Sequence, residues 1–233
     1  MPAPRIEIDL FKIRYNTRSL VQRLNQRGIR VTGVTKAVCG HPGVAQAMLD
    51  GGATDLADAR IENIERMRNA RIKAAIHLIR TPMLSQIRRI SASCDSSNNT
   101  STEVLRALSC SAALAEKRHS VILMVEMGDL REGILPTNLE RVAREVMDFP
   151  GLNLKGIGAS FGCLGGIAPD DQSLAELSRL ADELEGLTGV HLETVSGGNS
   201  SCLDWALGPA PTGRINELRL GESILLGSNP NYS

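Results

Sequence analysis

The chain has 233 residues, in which 26 lysine and arginine residues balance 26 aspartate and glutamate residues. A formal net charge of zero gives no electrostatic reason to bind nucleic acid or an anionic membrane surface, for which a basic excess is usual. No run reaches the roughly 18 consecutive apolar residues that a membrane span needs, and the N-terminus lacks the apolar core of a signal peptide. We therefore expect a cytoplasmic protein with a single domain over residues 1–233.

Short apolar runs alternate with longer segments of helical period, which is typical of β-α units and a parallel sheet. Residues 1–10 are interpreted as an N-terminal strand that leads into a first helix over 11–26. Eight strands are then predicted at 31–36, 54–57, 75–80, 91–95, 121–126, 154–159, 192–196 and 216–220. Helices are predicted between them at 44–49, 61–68, 84–90, 102–117, 139–148 and 172–187. Side-chain oxygens at 137–138 and 169–171 are expected to cap the last two helices.

Eight strands with interleaved helices in about this length favour an α/β fold, the (β/α)8 TIM barrel, over a doubly wound sheet. Function in such barrels lies at the C-terminal ends of the strands. Polar and glycine residues cluster at those predicted ends. The five cysteines are scattered without a Cys-x-x-Cys pair, and the four histidines are dispersed. This spacing predicts mostly buried, reduced thiols and no metal site.

Three segments carry candidate chemistry. Lys36 ends the predicted strand 31–36, where burial would lower its pKa and suit it to form a Schiff base; a snorkelling strand-end lysine is the alternative. The loop Ser196-Gly197-Gly198-Asn199-Ser200-Ser201 follows the seventh strand, where paired glycines and a helix N-terminus are as consistent with phosphate binding as with an ordinary capped turn. Arg219 ends the eighth strand, either as a cofactor contact or as the ion-pair partner of Glu193 or Glu217.

Two further glycine-rich loops lie on the same predicted rim. Gly128-Asp129-Leu130-Arg131-Glu132-Gly133 supplies an arginine that could bind a carboxylate bidentately, although a solvated charged loop is the ordinary interpretation. The segment 162–166 lacks the spacing of a Rossmann or Walker loop, so we do not interpret it as a nucleotide site.

Together these blocks resemble the alanine racemase N-terminal domain family, and within it the ornithine or alanine/ornithine racemase branch, which binds pyridoxal phosphate. The resemblance rests on Ile6-Glu7-Ile8-Asp9-Leu10, Val31-Thr32-Gly33-Val34-Thr35-Lys36, Asp58-Ala59-Arg60-Ile61-Glu62-Asn63, Gly128-Asp129-Leu130-Arg131-Glu132-Gly133, Ser196-Gly197-Gly198-Asn199-Ser200-Ser201 and Leu218-Arg219-Leu220-Gly221-Glu222. It covers nearly the whole chain.

The resemblance implies a role for each of these residues. Lys36 would form the internal aldimine and move the α-proton, and Arg219 would face the pyridine nitrogen. Arg131 would lie near the substrate carboxylate. The phosphate would be held by three glycines and three polar residues with their backbone, namely Gly197, Gly198, Gly221, Asn199, Ser200 and Glu222.

The chain also departs from the family pattern. Family racemases continue into a C-terminal β-domain, which in alanine racemases supplies a tyrosine as the second base, whereas this sequence stops at residue 233. The tyrosine that follows the lysine in alanine racemases is replaced by Cys39. Candidates for the second acid are Cys163, His41, Tyr232 or a residue of the absent domain.

The sequence therefore predicts a pyridoxal-phosphate racemase of a small or basic amino acid, ornithine or alanine. Asp58, Glu62 or Asp129 could receive the distal ammonium of ornithine, or could be solvated charges. The alternative is a single-domain pyridoxal-phosphate homeostasis protein without racemase activity, although those proteins typically read Ser-Met-Gly-Met-Ser after the seventh strand. A cofactor-independent racemase using Cys39 and Cys163 is a third interpretation, disfavoured because such enzymes have two α/β domains. The family precedent is a homodimer.

Overall fold

The computed structural model describes residues 4–162 and 168–227 of the chain. Its strands are β1 (Arg30–Val34), β2 (Asp55–Asp58), β3 (Ile76–Leu78), β4 (Ser96–Asn99), β5 (His119–Met124), β6 (Leu152–Gly158), β7 (Thr194–Ser196) and β8 (Glu217–Leu220). Its helices are α1 (Leu10–Asn25), α2 (Pro42–Asp50), α3 (Ile61–Asn69), α4 (Ile87–Ser93), α5 (Thr102–Leu114), α6 (Pro136–Asp148), α7 (Asp171–Thr188), α8 (Leu203–Leu207) and α9 (Glu222–Leu226). Short 3₁₀ turns lie at Lys36–Val38, Leu84–Gln86 and Ser200–Cys202.

The eight strands form one closed parallel barrel. Each strand pairs with the next in the sequence, and β8 pairs with β1. The register places Gly33 opposite Leu220, so the C-terminal ends of β1 and β8 lie side by side. The predicted (β/α)8 TIM barrel is confirmed.

The helices cover the barrel with one apolar face each, and α6 shows how its sequence achieves this. Leu139, Val142, Ala143 and Val146 recur at the helical spacing of three and four residues and are all buried. Burying one large aliphatic side chain contributes about 1.5–3 kcal/mol. The opposite face carries exposed arginine–glutamate pairs one turn apart. This pattern holds the helix ring against the strands and leaves the strand ends available for a site.

Three sequence predictions about elements are wrong. Residues 91–95 do not form the fourth strand, because 91–93 belong to α4 and the strand lies at Ser96–Asn99. Residues 4–9 of the proposed N-terminal strand have no strand conformation, since β1 begins only at Arg30 and pairs with β2 and β8. Helix α6 begins at Pro136 after Leu135, without a side-chain cap, so residues 137–138 lie inside it. The predicted cap of α7 is confirmed, because Asp170 accepts from Ser173 N.

Four of the five cysteines lie within residues 4–162 and 168–227. Cys94 and Cys202 are buried, whereas Cys39 and Cys110 are exposed. Burial raises the pKa of the Cys94 thiol to about 12. Within these residues no group of three or more His, Cys, Asp or Glu side chains is placed to hold a metal ion. No helix in this part of the chain is long and apolar enough to cross a bilayer.

A polar network fills the end of the barrel at which the strands begin, the N-terminal end. His77 Nδ1 lies 2.6 Å from Ser96 Oγ, and His77 Nε2 lies 3.4 Å from Asp55 Oδ2. Burial alone would raise the pKa of Asp55, but the hydrogen bond from His77 and the charges of His77, Lys155 and Arg30 lower it overall. Because the N-terminal end of a TIM barrel contributes to stability, we assign this network a structural role.

His119 is the second buried histidine of this region. It is 3% exposed, and its Nε2 lies 2.8 Å from Ser97 Oγ. Burial lowers the pKa of His119 to about 4; the charge of Asp95 opposes this shift and the charge of His77 adds to it. The imidazole is therefore neutral in the folded protein over the range in which an unfolded histidine takes up a proton.

This shift predicts a loss of stability in mild acid. As the pH falls from about 6.5 towards 4, the unfolded chain binds a proton that folded His119 does not, so the free energy of unfolding falls by up to about 3 kcal/mol. Urea unfolding of the wild-type protein and of His119→Gln between pH 7 and 4 measures this effect. The variant should show a shallower fall than the wild-type protein. An unchanged slope in His119→Gln would contradict the assignment.

Candidate functional site

Lys36 lies in a tight turn directly after β1. The strand ends at Val34, and Lys36 opens the 3₁₀ turn Lys36–Val38 rather than ending the strand as predicted. The turn closes through Cys39 and Gly40, both with positive φ values of 53° and 63°. The side chain of Lys36 is exposed, so the predicted burial is not found. The amine is therefore accessible at the C-terminal end of the barrel.

The loop after β7 is held closely against β8 and its own helix. Gly197 N donates to Glu217 O at 2.9 Å, and Arg219 N donates to Gly198 O at 3.0 Å. A Cβ on Gly197 would lie 2.5 Å from Ile215 Cγ2, and one on Gly198 would lie 2.4 Å from Cys202 Sγ. Gly198 also has a φ of 122°, which L-amino acids rarely adopt. Both glycines are thus required for this loop geometry.

Two hydroxyl groups join the loops after β7 and β8. Ser200 Oγ lies 3.1 Å from Ser223 Oγ and accepts from Ser223 N at 3.2 Å, and both serines are buried. Ser223 is in the first turn of α9, which Gly221 and Glu222 begin. The sequence analysis missed Ser223, although its position one residue after Gly221-Glu222 could have indicated it.

Gly221 also connects this pair of loops to the lysine strand. A Cβ on Gly221 would lie 3.2 Å from both Val34 Cβ and Val34 O. Val34 is two residues before Lys36. The turn that contains Lys36 (residues 36–40, the lysine turn) follows β1, and α9 follows the neighbouring strand β8. The two segments therefore lie side by side at the same end of the barrel.

Asn199 has contacts within the loop region. Its Nδ2 donates to Phe161 O at 2.8 Å, and its Oδ1 accepts from Ser201 N at 3.0 Å. The side chain thus connects the end of β6 to the loop after β7. These contacts give Asn199 a structural part in shaping the loop, in addition to the role predicted for it.

Arg219 points into the barrel from β8 and is 6% exposed. Its guanidinium donates to Ser196 Oγ, to Ala159 O at 2.6 Å and to Ser160 Oγ at 3.4 Å. These three acceptors are uncharged and lie at the ends of β6 and β7. Glu217, one of the two proposed ion-pair partners, instead accepts from Thr32 Oγ1 and lies 3.8 Å from Arg30. Arg219 therefore places a permanent positive charge below the loops after β7 and β8.

Arg131 lies in a compact turn after β5. Its guanidinium donates to Glu132 at 2.9 Å and lies 3.9 Å from Asp129. The turn is organised by Glu126, whose Oε1 accepts from Gly128 N at 2.6 Å and from Leu130 N at 3.1 Å. The sequence analysis placed Glu126 only at the end of the predicted strand 121–126 and gave it no part in this turn. In a closed barrel of eight strands β5 lies across from β1, so Arg131 and Lys36 occupy opposite sides of the mouth.

The carboxylates considered for a substrate ammonium have other partners. Asp58 is fully buried and accepts hydrogen bonds from Thr35, Arg60 and Asn63, so the prediction that it binds substrate or is solvated is wrong. Glu62 pairs with Arg89 on the helix surface at 2.9 Å. Asp129 is buried beside Arg131.

Of the three residues proposed as the second acid, one lies within the described residues and two lie outside them. His41 caps α2 by accepting from Gly43 N through Nδ1 at 3.2 Å. Cys163 and Tyr232 lie outside the described residues, as do Gly165 and Gly166. The closed single barrel does not have the two α/β domains that the thiol-based racemase interpretation requires.

The chain is similar to known proteins over nearly its full length. The model of "Alanine racemase, N-terminal domain" matches residues 8–230. A lysine racemase of Thermotoga maritima is 36% identical over 97% of this chain and 63% of its own length. An ornithine racemase of Acetoanaerobium sticklandii is 34% identical over 98% of this chain and 65% of its own length.

Among solved structures, an alanine racemase of Clostridium difficile 630 superimposes with a TM-score of 0.81 at 20% identity, over 96% of this chain and 58% of that one. The chain thus spans less than two thirds of the length of the curated relatives that it matches. The match to the family model over nearly all residues and the barrel geometry agree. The chain belongs to the alanine racemase N-terminal domain family.

Proposed function

We propose that this chain is the pyridoxal-phosphate-binding barrel of an amino-acid racemase that acts on a basic amino acid such as lysine or ornithine. The observation that carries the proposal is the placement of Lys36, Arg219 and the two-serine junction at the C-terminal ends of adjacent strands. The two curated relatives, named for lysine and ornithine, support the substrate class. Alanine, a smaller amino acid, is the alternative substrate.

The residues at this end of the barrel fit pyridoxal phosphate. Lys36 supplies an exposed primary amine for the aldehyde. The close approach of Gly197 to Ile215 and of Gly198 to Cys202 holds the loop after β7 in a tight turn. The backbone N–H groups of such a glycine-containing loop can bind a phosphate. Ser200 Oγ and Ser223 Oγ lie 3.1 Å apart, and the hydroxyl that does not donate to the other can donate to a phosphate oxygen. Asn199 and Glu222 lie in the same two loops.

The protein's own groups would then perform the remaining tasks. When bound, the cofactor supplies the stabilisation of a carbanion at the substrate Cα. Lys36 would hold the cofactor and carry a proton to and from that carbon at Nζ. Arg219, a permanent cation among uncharged acceptors, would disfavour protonation of the ring nitrogen beside it. The weaker electron sink that results would suit racemisation, because it limits side reactions of the carbanion.

Arg131 would bind the substrate carboxylate from the opposite side of the mouth. A guanidinium can do this with two parallel hydrogen bonds. Its neighbours Glu132 and Asp129 orient the side chain in the turn that Glu126 organises. The second acid, which returns the proton on the other face, is not assigned to a residue of this chain.

The proposal is tested by incubating the protein with pyridoxal phosphate and, separately, L-lysine, L-ornithine and L-alanine in deuterium oxide. Chiral chromatography and mass spectrometry then measure the D isomer and deuterium at Cα. We expect both products from a basic substrate, at a higher rate than from alanine. Bound cofactor without either product from any substrate would favour the homeostasis protein. Full activity after borohydride treatment would favour a cofactor-independent racemase.

A further inference from the structure

Asp58 is a buried carboxylate to which the proposed reaction gives no task. It ends β2, is 0% exposed, and accepts from Thr35 Oγ1 at 2.7 Å, Arg60 N at 3.0 Å and Asn63 Nδ2 at 2.9 Å. Burying a carboxylate is costly unless its oxygens are satisfied by donors. The three donors here satisfy both oxygens and fix the carboxylate in one orientation.

One of these donors directly precedes the candidate catalytic lysine. Thr35 is fully buried, and its backbone N donates to Ala57 O at 2.9 Å. Its carbonyl oxygen accepts from Val38 N at 3.0 Å and from Gly40 N at 3.2 Å. Thr35 is therefore the residue on which the turn is built, and its orientation sets the direction in which Lys36 leaves β1. The hydroxyl of Thr35 is the group that Asp58 holds.

The far end of the same turn is connected to α3. Asn63, the side-chain donor from α3, has its backbone oxygen so close to Gly40 that a Cβ there would lie only 2.6 Å away. Arg66 Nη1 donates to Cys39 O at 2.7 Å. Both ends of the lysine turn thus contact α3, and Asp58 joins the helix to the beginning of the turn.

The carboxylate lies between the strand ends and α3 rather than in the interior of the barrel. Thr35 Oγ1, which it binds, also lies 3.8 Å from Met67 Sδ on α3. Arg219, by contrast, contacts groups of β6 and β7 inside the barrel. Asp58 therefore acts on the turn that contains Lys36 through Thr35, from the side of the strand ends that faces α3.

We propose that Asp58, through the hydroxyl of Thr35, is a positioning residue that holds the Lys36 turn in the orientation needed to bond the cofactor aldehyde. This inference rests on the proposed function. It predicts that removal of the Thr35 hydroxyl impairs attachment of pyridoxal phosphate to Lys36, and that a smaller residue with the same hydroxyl restores it.

The test compares Thr35→Val with Thr35→Ser. Each variant is incubated with subsaturating pyridoxal phosphate and reduced with borohydride, and peptide mass spectrometry measures the labelled fraction of Lys36. We expect labelling to fall at least about tenfold in Thr35→Val and to stay within about twofold of wild type in Thr35→Ser. Hydrogen exchange of the amides of residues 36–40 should accelerate only in the valine variant.

Thr17→Val is the matched control. Thr17 is also fully buried and donates through Oγ1 to Ile13 O at 2.8 Å, but it lies in α1 away from the turn. Its replacement should lower the thermal midpoint without changing Lys36 labelling. If Thr35→Val does not fold, Asp58→Asn replaces it, and several-fold weaker labelling is expected because an amide offers one acceptor oxygen instead of two.

The outcomes separate this inference from the proposed function. Wild-type labelling of Lys36 in Thr35→Val, or in Asp58→Asn where that variant replaces it, would overturn the positioning role while leaving the cofactor assignment in place. Absence of Lys36 labelling in the wild-type protein would overturn the proposed function and the positioning role together. Equal losses of Lys36 labelling in Thr35→Val and Thr35→Ser would also overturn the positioning role, because the hydroxyl of Thr35 would then not be the group that holds the turn.

Discussion

Replacing Lys36 with alanine is expected to lower racemase kcat/KM by at least about 10⁴-fold and to remove the visible absorbance of lysine-bound cofactor. The proposed reaction uses this one amine both to hold the cofactor and to carry the proton, and loss of a positioned acid–base group alone costs roughly 10²–10⁴ in rate. Lys36 is exposed at the beginning of a turn, so removal of its amine leaves no cavity in the core. Absorbance spectra and chiral assays of the purified variant measure both effects.

Lys12→Ala serves as the control for this experiment. Lys12 is an exposed lysine on α1, and alanine is a strong helix former. It should keep the activity and the spectrum of the wild-type protein. Retention of the lysine-bound spectrum in Lys36→Ala would show that another amine holds the cofactor.

Gly156→Ala is expected to destabilise the barrel by at least about 3 kcal/mol. Gly156 pairs with Thr194 between β6 and β7, and an added Cβ would lie 1.9 Å from Thr194 O. Overpacking usually costs about 1–3 kcal/mol, and here the obstacle is backbone that moves only if the two strands separate. Because β7 leads into the loop that begins with Gly197, cofactor affinity should fall as well.

Gly186→Ala is the control: it makes the same substitution at a glycine where the added Cβ has open space. Gly186 lies in α7 with nothing within 4 Å of the added Cβ, and alanine is favoured over glycine in a helix by about 1 kcal/mol. This variant should be as stable as the wild type or slightly more so. Urea unfolding measures both variants, and a Gly156→Ala protein with wild-type stability would contradict the described register of β6 and β7.

The alternation of apolar runs and helical segments predicted the barrel because most strands contain the expected apolar residues. The fourth strand was misplaced because Ser96, Ser97, Asn98 and Asn99 are all polar, and polar runs usually indicate a loop. Its side chains find partners only in the tertiary structure, where Ser96 contacts His77 and Ser97 contacts His119. Such pairs join distant segments and leave no local pattern in the sequence.

The N-terminal error has a different origin. Residues 6–8 alternate apolar and acidic side chains, which is the pattern of a half-buried strand. A strand also needs a neighbour for its backbone hydrogen bonds, and β1 is already paired on both sides by β2 and β8. Local alternation therefore did not suffice to form a strand.

The sequence indicated many of the residues at the candidate site, but it did not indicate the contacts that these residues make. Glycine and polar residues at strand ends indicated Lys36, Arg219 and the loop after β7, because a barrel brings those ends together. Ser223 and Glu126 were not found, since each acts through a contact that depends on the folded loops. Asp58 was misinterpreted because a carboxylate beside a strand end gives no sign of being fully buried.

The central claim is that the amine of Lys36 is the group that binds pyridoxal phosphate. The most direct measurement is peptide mass spectrometry of the wild-type protein after saturation with the cofactor and borohydride reduction. The account predicts one pyridoxyl group, on the peptide that contains Lys36. A pyridoxyl group found instead on Lys12, Lys73, Lys117 or Lys155, or on no lysine, would contradict it.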